Sequence, residues 1–219
     1  MSLRRSLSLY LVLDPGLCAG MGMAETTRRA VLGGVSMVQL RVKQASTAEA
    51  VAHLRDIKSV LAGTGVPLIM NDNVEAALEG GADGVHVGQG DMPVAQVRER
   101  IGPDLILGLS AETPDHAAAA DPALVDYLGA GPVFATATKP GHAPPCGLEG
   151  LPAIIAASSL PSVAIGGIKA QHAAQVFASG ADGLAVVSAI CGQPDPEAAA
   201  QSLAQAIAFA RQSQQEPSL

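Results

Sequence analysis

Tryptophan is absent, and the 219-residue chain carries only two tyrosines and three phenylalanines. Aromatics at 2% leave almost no platform for base stacking, and a net charge of −7 gives no general attraction for a polyanion. Nucleic-acid binding is therefore excluded as a general function, whereas small anionic substrates remain open through local basic groups. No stretch approaches the roughly 18 consecutive apolar residues of a membrane span. The apolar run from Leu7 to Leu13 is short, contains Ser8 and ends at Asp14-Pro15 without a cleavage-like signature, so it reads as a first strand and not as a signal. Cysteine is scarce: Cys18, Cys146 and Cys191 are odd in number and widely spaced, as expected of reduced thiols in a cytoplasmic protein. A glycine-rich Walker pattern, a Gly-x-Ser-x-Gly elbow and a clustered His/Cys metal signature are also missing, which disfavours nucleophilic hydrolysis.

What the chain does have is 48% hydrophobic content and 24 glycines, a composition of small aliphatic residues and many tight turns. Eight short β-type runs stand at 8–14, 35–41, 67–72, 84–88, 105–110, 127–133, 162–167 and 183–190, with helix-compatible sequence between most of them. Most runs are apolar throughout, as expected of parallel strands covered on both faces. Eight βα units in about 220 residues predict an α/β fold, a compact single-domain (β/α)8 TIM barrel over residues 1–219. The termini, 1–6 and 213–219, are expected to fray, and a final alanine-rich helix from about Asp195 to Gln212 closes the outer ring.

Several helices are punctuated. Ser46 with Glu49 makes a capping-box pattern, and Thr113-Pro114 supplies an N-cap followed by proline at the first helical position. Gly81-Ala82-Asp83-Gly84 and Gly180-Ala181-Asp182-Gly183 recur half a chain apart, each between a helix and a strand, where the first glycine can end the helix in the left-handed conformation.

Polar residues gather where the runs end. Gln39, Arg41 and Lys43 follow the second, Asn71-Asp72 the third, Gln89 and Asp91 the fourth and Ser110 the fifth. Thr136 to Lys139 follow the sixth, Gly166-Gly167 the seventh, and Ser188 marks the eighth. In a barrel that face carries the active site. The segment Thr136-Ala137-Thr138-Lys139-Pro140 continues through Gly141-His142-Ala143-Pro144-Pro145-Cys146, longer than the usual connection of about 2–6 residues, and reads as a site loop or a solvated linker.

Two cations on one side of an extended segment, Arg41 and Lys43, suit a polyanion. Asp72 and Asp91 end neighbouring strands, and magnesium commonly takes one or two carboxylates together with substrate phosphate oxygens. Helix capping is the competing role for both. Gly166-Gly167 with Val187-Ser188 occupies the usual barrel phosphate site, built from backbone N–H groups. His86 reads as a hydrogen-bonded core or supporting histidine in preference to a base, and Asp14-Pro15 as a turn.

The ordered set Gln39-Leu40-Arg41-Val42-Lys43, Asn71-Asp72, Gly84-Val85-His86-Val87-Gly88-Gln89, Gly131-Pro132-Val133-Phe134, Thr136-Ala137-Thr138-Lys139-Pro140, Gly147-Leu148-Glu149-Gly150, Ala164-Ile165-Gly166-Gly167-Ile168 and Val186-Val187-Ser188-Ala189-Ile190 resembles the thiamine phosphate synthase family over about residues 8–191. The resemblance implies a transferase that joins hydroxymethylpyrimidine diphosphate to thiazole phosphate with Mg2+, by a dissociative route. It implies that Arg41, Lys43, Asn71, Ser110 and Lys139 hold the diphosphate, that Asp72 and Asp91 bind the metal and that Gln39 contacts the pyrimidine. Thr136, Thr138, Gly167, Val187 and Ser188 would position the thiazole phosphate. The partners are thus small-molecule substrates, with no nucleic acid and no membrane; a homo-oligomer stays open. The chain departs from the family's pattern at Ala135, Ala137, Gly90 and Ala111. A related isomerase branch of the fold is expected to carry a histidine near Gly131-Pro132, where this chain has Pro132.

Overall fold

The computed structural model describes residues 2–136 and 143–215. Its strands are β1 (Leu9–Leu13), β2 (Met37–Leu40), β3 (Leu68–Asn71), β4 (Gly84–Val87), β5 (Ile106–Ala111), β6 (Tyr127–Ala130), β7 (Ser162–Ile165) and β8 (Gly183–Val186). The helices are α1 (Leu3–Ser6), α2 (Met23–Leu32), α3 (Thr47–Leu61), α4 (Val74–Gly80), α5 (Val94–Ile101), α6 (Pro114–Ala118), α7 (Gly147–Ala156), α8 (Ala173–Ala178) and α9 (Pro196–Gln215), with a 3-10 turn at Ala170–His172 before α8. All eight expected strands form, seven of them shorter than their apolar runs and β5 of equal length one residue later, and they close in order from β1 round to β8 as a parallel barrel. The amino terminus differs from expectation. Leu3–Ser6 is helical rather than frayed, Ser6 is buried, and Arg4 reaches Asp182 at 2.5 Å.

Helix ends follow the local chemistry read from sequence. Ser46 accepts from Glu49 N and completes its capping box, and Thr113 accepts from His116 N ahead of Pro114. Gly81 ends α4 at φ 67, a left-handed position that glycine adopts without a Cβ penalty.

A fourfold repeat lies at the amino-terminal face of the barrel. The residue just before each even strand accepts the N–H of the residue that opens the preceding odd strand or follows its opening. Ser36 Oγ accepts from Leu9 N at 2.9 Å, Asp83 Oδ2 from Leu68 N at 2.8 Å, Asp126 Oδ2 from Leu107 N at 2.7 Å and Asp182 Oδ2 from Ser162 N at 2.9 Å. In each pair the even-side residue's own N–H returns a bond to the odd-side carbonyl. The two Gly-Ala-Asp-Gly segments are thus two of four clasps, each tying one βα unit to the next. Three of the four acceptors are carboxylates, and they meet Lys58, Arg98 and Arg4 from outside the barrel.

Aliphatic side chains between strands and helices make the main core, and a second cluster of Leu7, Tyr10, Met37, Ile69, Tyr127, Val163 and Ala185 fills the barrel interior. Burial of this kind supplies roughly 25 cal/mol per Å² of apolar surface removed from water. With the interior plugged from below, the open volume lies at the carboxyl ends of the strands.

Candidate active site

A cavity with about 1040 Å³ of empty volume, open mouth included, sits at that face. Of the residues singled out in the sequence, it brings together Gln39, Arg41, Ser110, Thr136, Gly167, Val187 and Ser188. Lys43, Asn71, Asp72 and Asp91 lie outside its lining, on the side of β3 and β4, where the Lys43 ammonium pairs with Asp72 Oδ2. Thr138 and Lys139 fall outside the described residues.

Neither aspartate caps a helix. Asn73 is the N-cap of α4 and accepts from Ala76 N at 2.9 Å, while Asp72 adopts φ 61, the one non-glycine residue with positive φ among those described. Pro93 is the N-cap position of α5, and Asp91 Oδ2 instead accepts from Gly88 N at 2.7 Å, closing the turn after β4. The competing capping role read from sequence is thus taken by Asn73 at α4, while α5 starts without a side-chain cap. Burial raises the pKa of Asp72, the Lys43 ammonium opposes that shift, and the hydrogen-bonded Asp91 carboxyl adds to it. Two carboxyls that disfavour each other's charge are a donor set that a divalent cation would relieve, so the residues fit a magnesium ion completed by phosphate oxygens.

The opposite wall is backbone. Gly166 and Gly167 stand at φ 103 and φ 66, and a Cβ on Gly167 would lie 2.8 Å from Phe134 Cβ. Among the described residues no main-chain carbonyl accepts from Gly167 N–H or Ser188 N–H. The Gln193 side chain meets Ser188 at its carbonyl, at 2.8 Å. The loop after β6 leaves over this wall. Val133 N donates to Ile165 O at 2.8 Å and Phe134 N to Gly166 O at 3.0 Å; on the return, Cys146 N donates to Pro132 O and Gly147 N to Val133 O, both at 2.9 Å. Phe134 also packs on His172, ring centroids 4.4 Å apart.

Sequence reasoning passed over the floor of the cavity. Tyr10 and Tyr127, the chain's only tyrosines, meet hydroxyl to hydroxyl at 2.8 Å across the barrel. Gln39 Nε2 donates to Tyr10 at 2.7 Å, and His86 links Tyr127, 2.9 Å from Nδ1, to Ser110, 3.0 Å from Nε2. Burial holds both phenols protonated by pushing their pKa values up. His86 is thus a supporting histidine, as its place within β4 suggested. The available signal was parity: Tyr10 precedes Val12 and Asp14 by two and four residues, so all three face inward together. Gln89 Nε2 donates to Ser110 O at 2.6 Å, fixing the end of β5.

The family model described as thiamine monophosphate synthase matches residues 9–190. A thiamine-phosphate synthase of Albidiferax ferrireducens is 47% identical over 203 residues, covering 93% of each chain. One from Psychrobacter is 50% identical over 203 residues, covering 90% of this chain and 94% of its own. The solved structure of the thiamine phosphate pyrophosphorylase from Pyrococcus furiosus superposes with a TM-score of 0.86 at 35% identity, covering 95% of this chain and 99% of that one. A 3-hexulose-6-phosphate synthase at 19% identity, with a TM-score of 0.65, shares the fold.

Proposed function

The chain belongs to the thiamine monophosphate synthase family and is a transferase; from that premise we propose that it condenses hydroxymethylpyrimidine diphosphate with a thiazole phosphate, forming thiamine phosphate and releasing diphosphate. One observation supports these substrates above all. A single cavity has Arg41 and Ser110 on one wall and, on the other, the N–H groups of Gly167 and Ser188, which no main-chain carbonyl takes up among the described residues, so the two walls suit two anionic groups facing each other.

In this reading Arg41, Lys43, Asn71 and Ser110 hold the departing diphosphate, and Lys139 of the loop after β6 joins them. Gln39 contacts the pyrimidine ring. Thr136, Thr138, Gly167, Val187 and Ser188 hold the thiazole phosphate so that the ring nitrogen faces the pyrimidine methylene carbon. Asp72 and Asp91 would hold Mg2+, which supplies positive charge to the diphosphate oxygens. The bond from methylene to diphosphate oxygen breaks with its electron pair going to the leaving group, and the thiazole nitrogen lone pair forms the new bond. No proton has to be removed for that step. The residues act by stabilising leaving-group charge and by holding two reactants in near-attack geometry. The apolar walls, Val163, Ile165 and Val186, limit water at the reacting carbon. Small phosphorylated substrates and three free thiols support a cytoplasmic location.

The test is incubation of the purified chain with both substrates and magnesium, with thiamine phosphate and diphosphate measured in equal amounts. Absence of coupled product formation removes the proposal. Lys139→Ala is expected to lower turnover about a hundredfold or more with both substrates saturating, the usual cost of losing one charge-stabilising donor.

A further inference from the structure

Five side chains from five strands form one unbroken row beneath the cavity: Gln39, Tyr10, Tyr127, His86 and Ser110. The three inner members are enclosed, with Tyr10 1% and Tyr127 0% exposed and His86 9%. A phenol has one hydrogen to donate, and a neutral imidazole has one donor and one acceptor nitrogen. Each inner member that donates in one direction must therefore accept from the other. A reversal inside the row would leave a buried O–H or N–H without an acceptor, at a cost of about 1–3 kcal/mol. With His86 neutral, only two hydrogen arrangements run through without a fault.

In the first, Gln39 donates to Tyr10, Tyr10 to Tyr127, Tyr127 to His86 Nδ1, and His86 Nε2–H to Ser110. Gln39 then offers its carbonyl oxygen to the cavity, and Ser110 keeps its hydrogen for a ligand. This is the arrangement that the amide placement of Gln39 corresponds to. In the second, every bond is reversed: Ser110 spends its hydrogen on His86 and shows lone pairs to the cavity, while Gln39 shows its amide N–H.

We propose that this row makes the two ends of the cavity one recognition device, in which an anion at Ser110 and a hydrogen-bond-donating amine at Gln39 favour each other's binding. An anionic oxygen needs a donor at Ser110 and so selects the first arrangement; the same arrangement places an acceptor at Gln39, which is what an exocyclic amino group needs. Tyr10, Tyr127 and His86 are positioning residues that carry the coupling from one end of the row to the other. The assignment of diphosphate to the Ser110 end and aminopyrimidine to the Gln39 end rests on the function proposed above.

The surrounding glycines support a contact kept open for this purpose. A Cβ on Gly108 would sit 2.2 Å from Tyr127 Cζ and 2.4 Å from His86 Nδ1, and one on Gly129 would sit 3.2 Å from His86 Cε1. Side-chain volume is thus withheld where the phenol meets the imidazole.

The experiment uses inorganic diphosphate with magnesium and a hydroxymethyl aminopyrimidine, titrated singly and together into the wild-type chain and into Tyr127→Phe, which keeps the ring and removes the central link. In the wild type each ligand should raise the other's affinity about fivefold or more, the lower end of usual coupling factors. The factor should fall to about one in Tyr127→Phe. Tyr10→Phe breaks the row at a different point and should do the same, which separates loss of the link from a local packing defect. Ring nitrogen shifts of ¹⁵N-labelled His86 give a second readout: the aminopyrimidine alone should drive the wild-type imidazole to the Nε2–H tautomer and leave Tyr127→Phe unmoved. A wild-type factor of one, a factor retained in both variants, an unresponsive tautomer, or no binding of the pyrimidine beside diphosphate would each overturn the coupling. Absence of thiamine phosphate synthesis by the wild type would instead sink the proposed function, because these binding readouts need no turnover.

Discussion

Asn73, and not Asp72 one residue earlier, caps α4: its side chain accepts from Ala76 N at 2.9 Å while Asp72 turns away at φ 61 and pairs with Lys43. The cap is thus supplied by one residue, which leaves the adjacent carboxylate for the role proposed above. Asn73→Ala should lose a helix cap, about 1 kcal/mol, and lower the melting temperature by roughly 2–4 °C with turnover per folded molecule unchanged. Asp72→Asn should keep the fold and abolish the magnesium dependence of the rate. Thermal unfolding and magnesium titration of turnover check the pair, and a magnesium response unaltered in Asp72→Asn would remove that residue from the metal site.

Gly108 admits no side chain. A methyl group there meets Tyr127 and His86 at 2.2–2.4 Å, well inside van der Waals contact, and the nearest atoms belong to enclosed rings. Gly108→Ala should therefore destabilise by about 1–3 kcal/mol, as overpacking of a filled interior typically does. It should also lower turnover in the surviving folded fraction. Denaturant unfolding measures the first effect and single-turnover rates the second; stability equal to wild type would mean that the rings move aside freely.

The clasps at the opposite face should behave differently. Asp126 Oδ2 accepts both Leu107 N and Arg98 Nη2, each at 2.7 Å, and Arg98 further donates to the carbonyls of Gly102, Leu105 and Leu124. Asp126→Ala leaves a strand N–H and a guanidinium short of partners and should cost about 1–3 kcal/mol. Because the site is at the other end of the strands, kcat and both KM values should stay within about twofold of wild type once the variant is folded. A large change in kcat would show that this face communicates with the cavity.

Gly167→Ala probes the backbone wall. Its φ of 66 disfavours any L side chain, and the added methyl would press on Phe134 and the Ala135 carbonyl. The expected result is a rise of about tenfold or more in KM for the thiazole phosphate, corresponding to about 1.4 kcal/mol of binding. Affinity for diphosphate should change little. Calorimetric titration of each ligand separates the two, and equal losses for both would place Gly167 in a shared role.

Much of this architecture was legible in the chain. Unbroken apolar runs such as Leu9–Leu13 and Leu68–Met70 announce strands covered on both faces, and the polar residues following them mark one end of the barrel. Strand lengths were overread because residues beyond the ladder, Val133 and Gly166 among them, remain apolar or small and still bond to the neighbouring unit: Val133 N donates to Ile165 O and Gly166 O accepts from Phe134 N. The clasp repeat was half visible. Two of its members share the Gly-Ala-Asp-Gly segment, but Asp126 follows Leu-Val and the first is Ser36, so only the shared acceptor at a shared register unites them. The row beneath the cavity was hidden for a different reason. A tyrosine inside an aliphatic run reads as core, and its hydroxyl acquires meaning only from partners 29 to 117 residues away. Likewise, that Asn73 and not Asp72 caps α4 depended on a backbone angle that the string Asn-Asp-Asn does not specify.

The bonds that join Val133 and Phe134 to β7, and Cys146 and Gly147 back to Pro132 and Val133, close the excursion after β6 at its root. A segment fastened in this way is a cassette. Its length and composition can vary at the small entropic cost that loop closure imposes, roughly 0.6 kcal/mol for each doubling, while the wall beneath keeps its shape. Exchanging the insert between Phe134 and Cys146 should therefore leave the eight strands as they are.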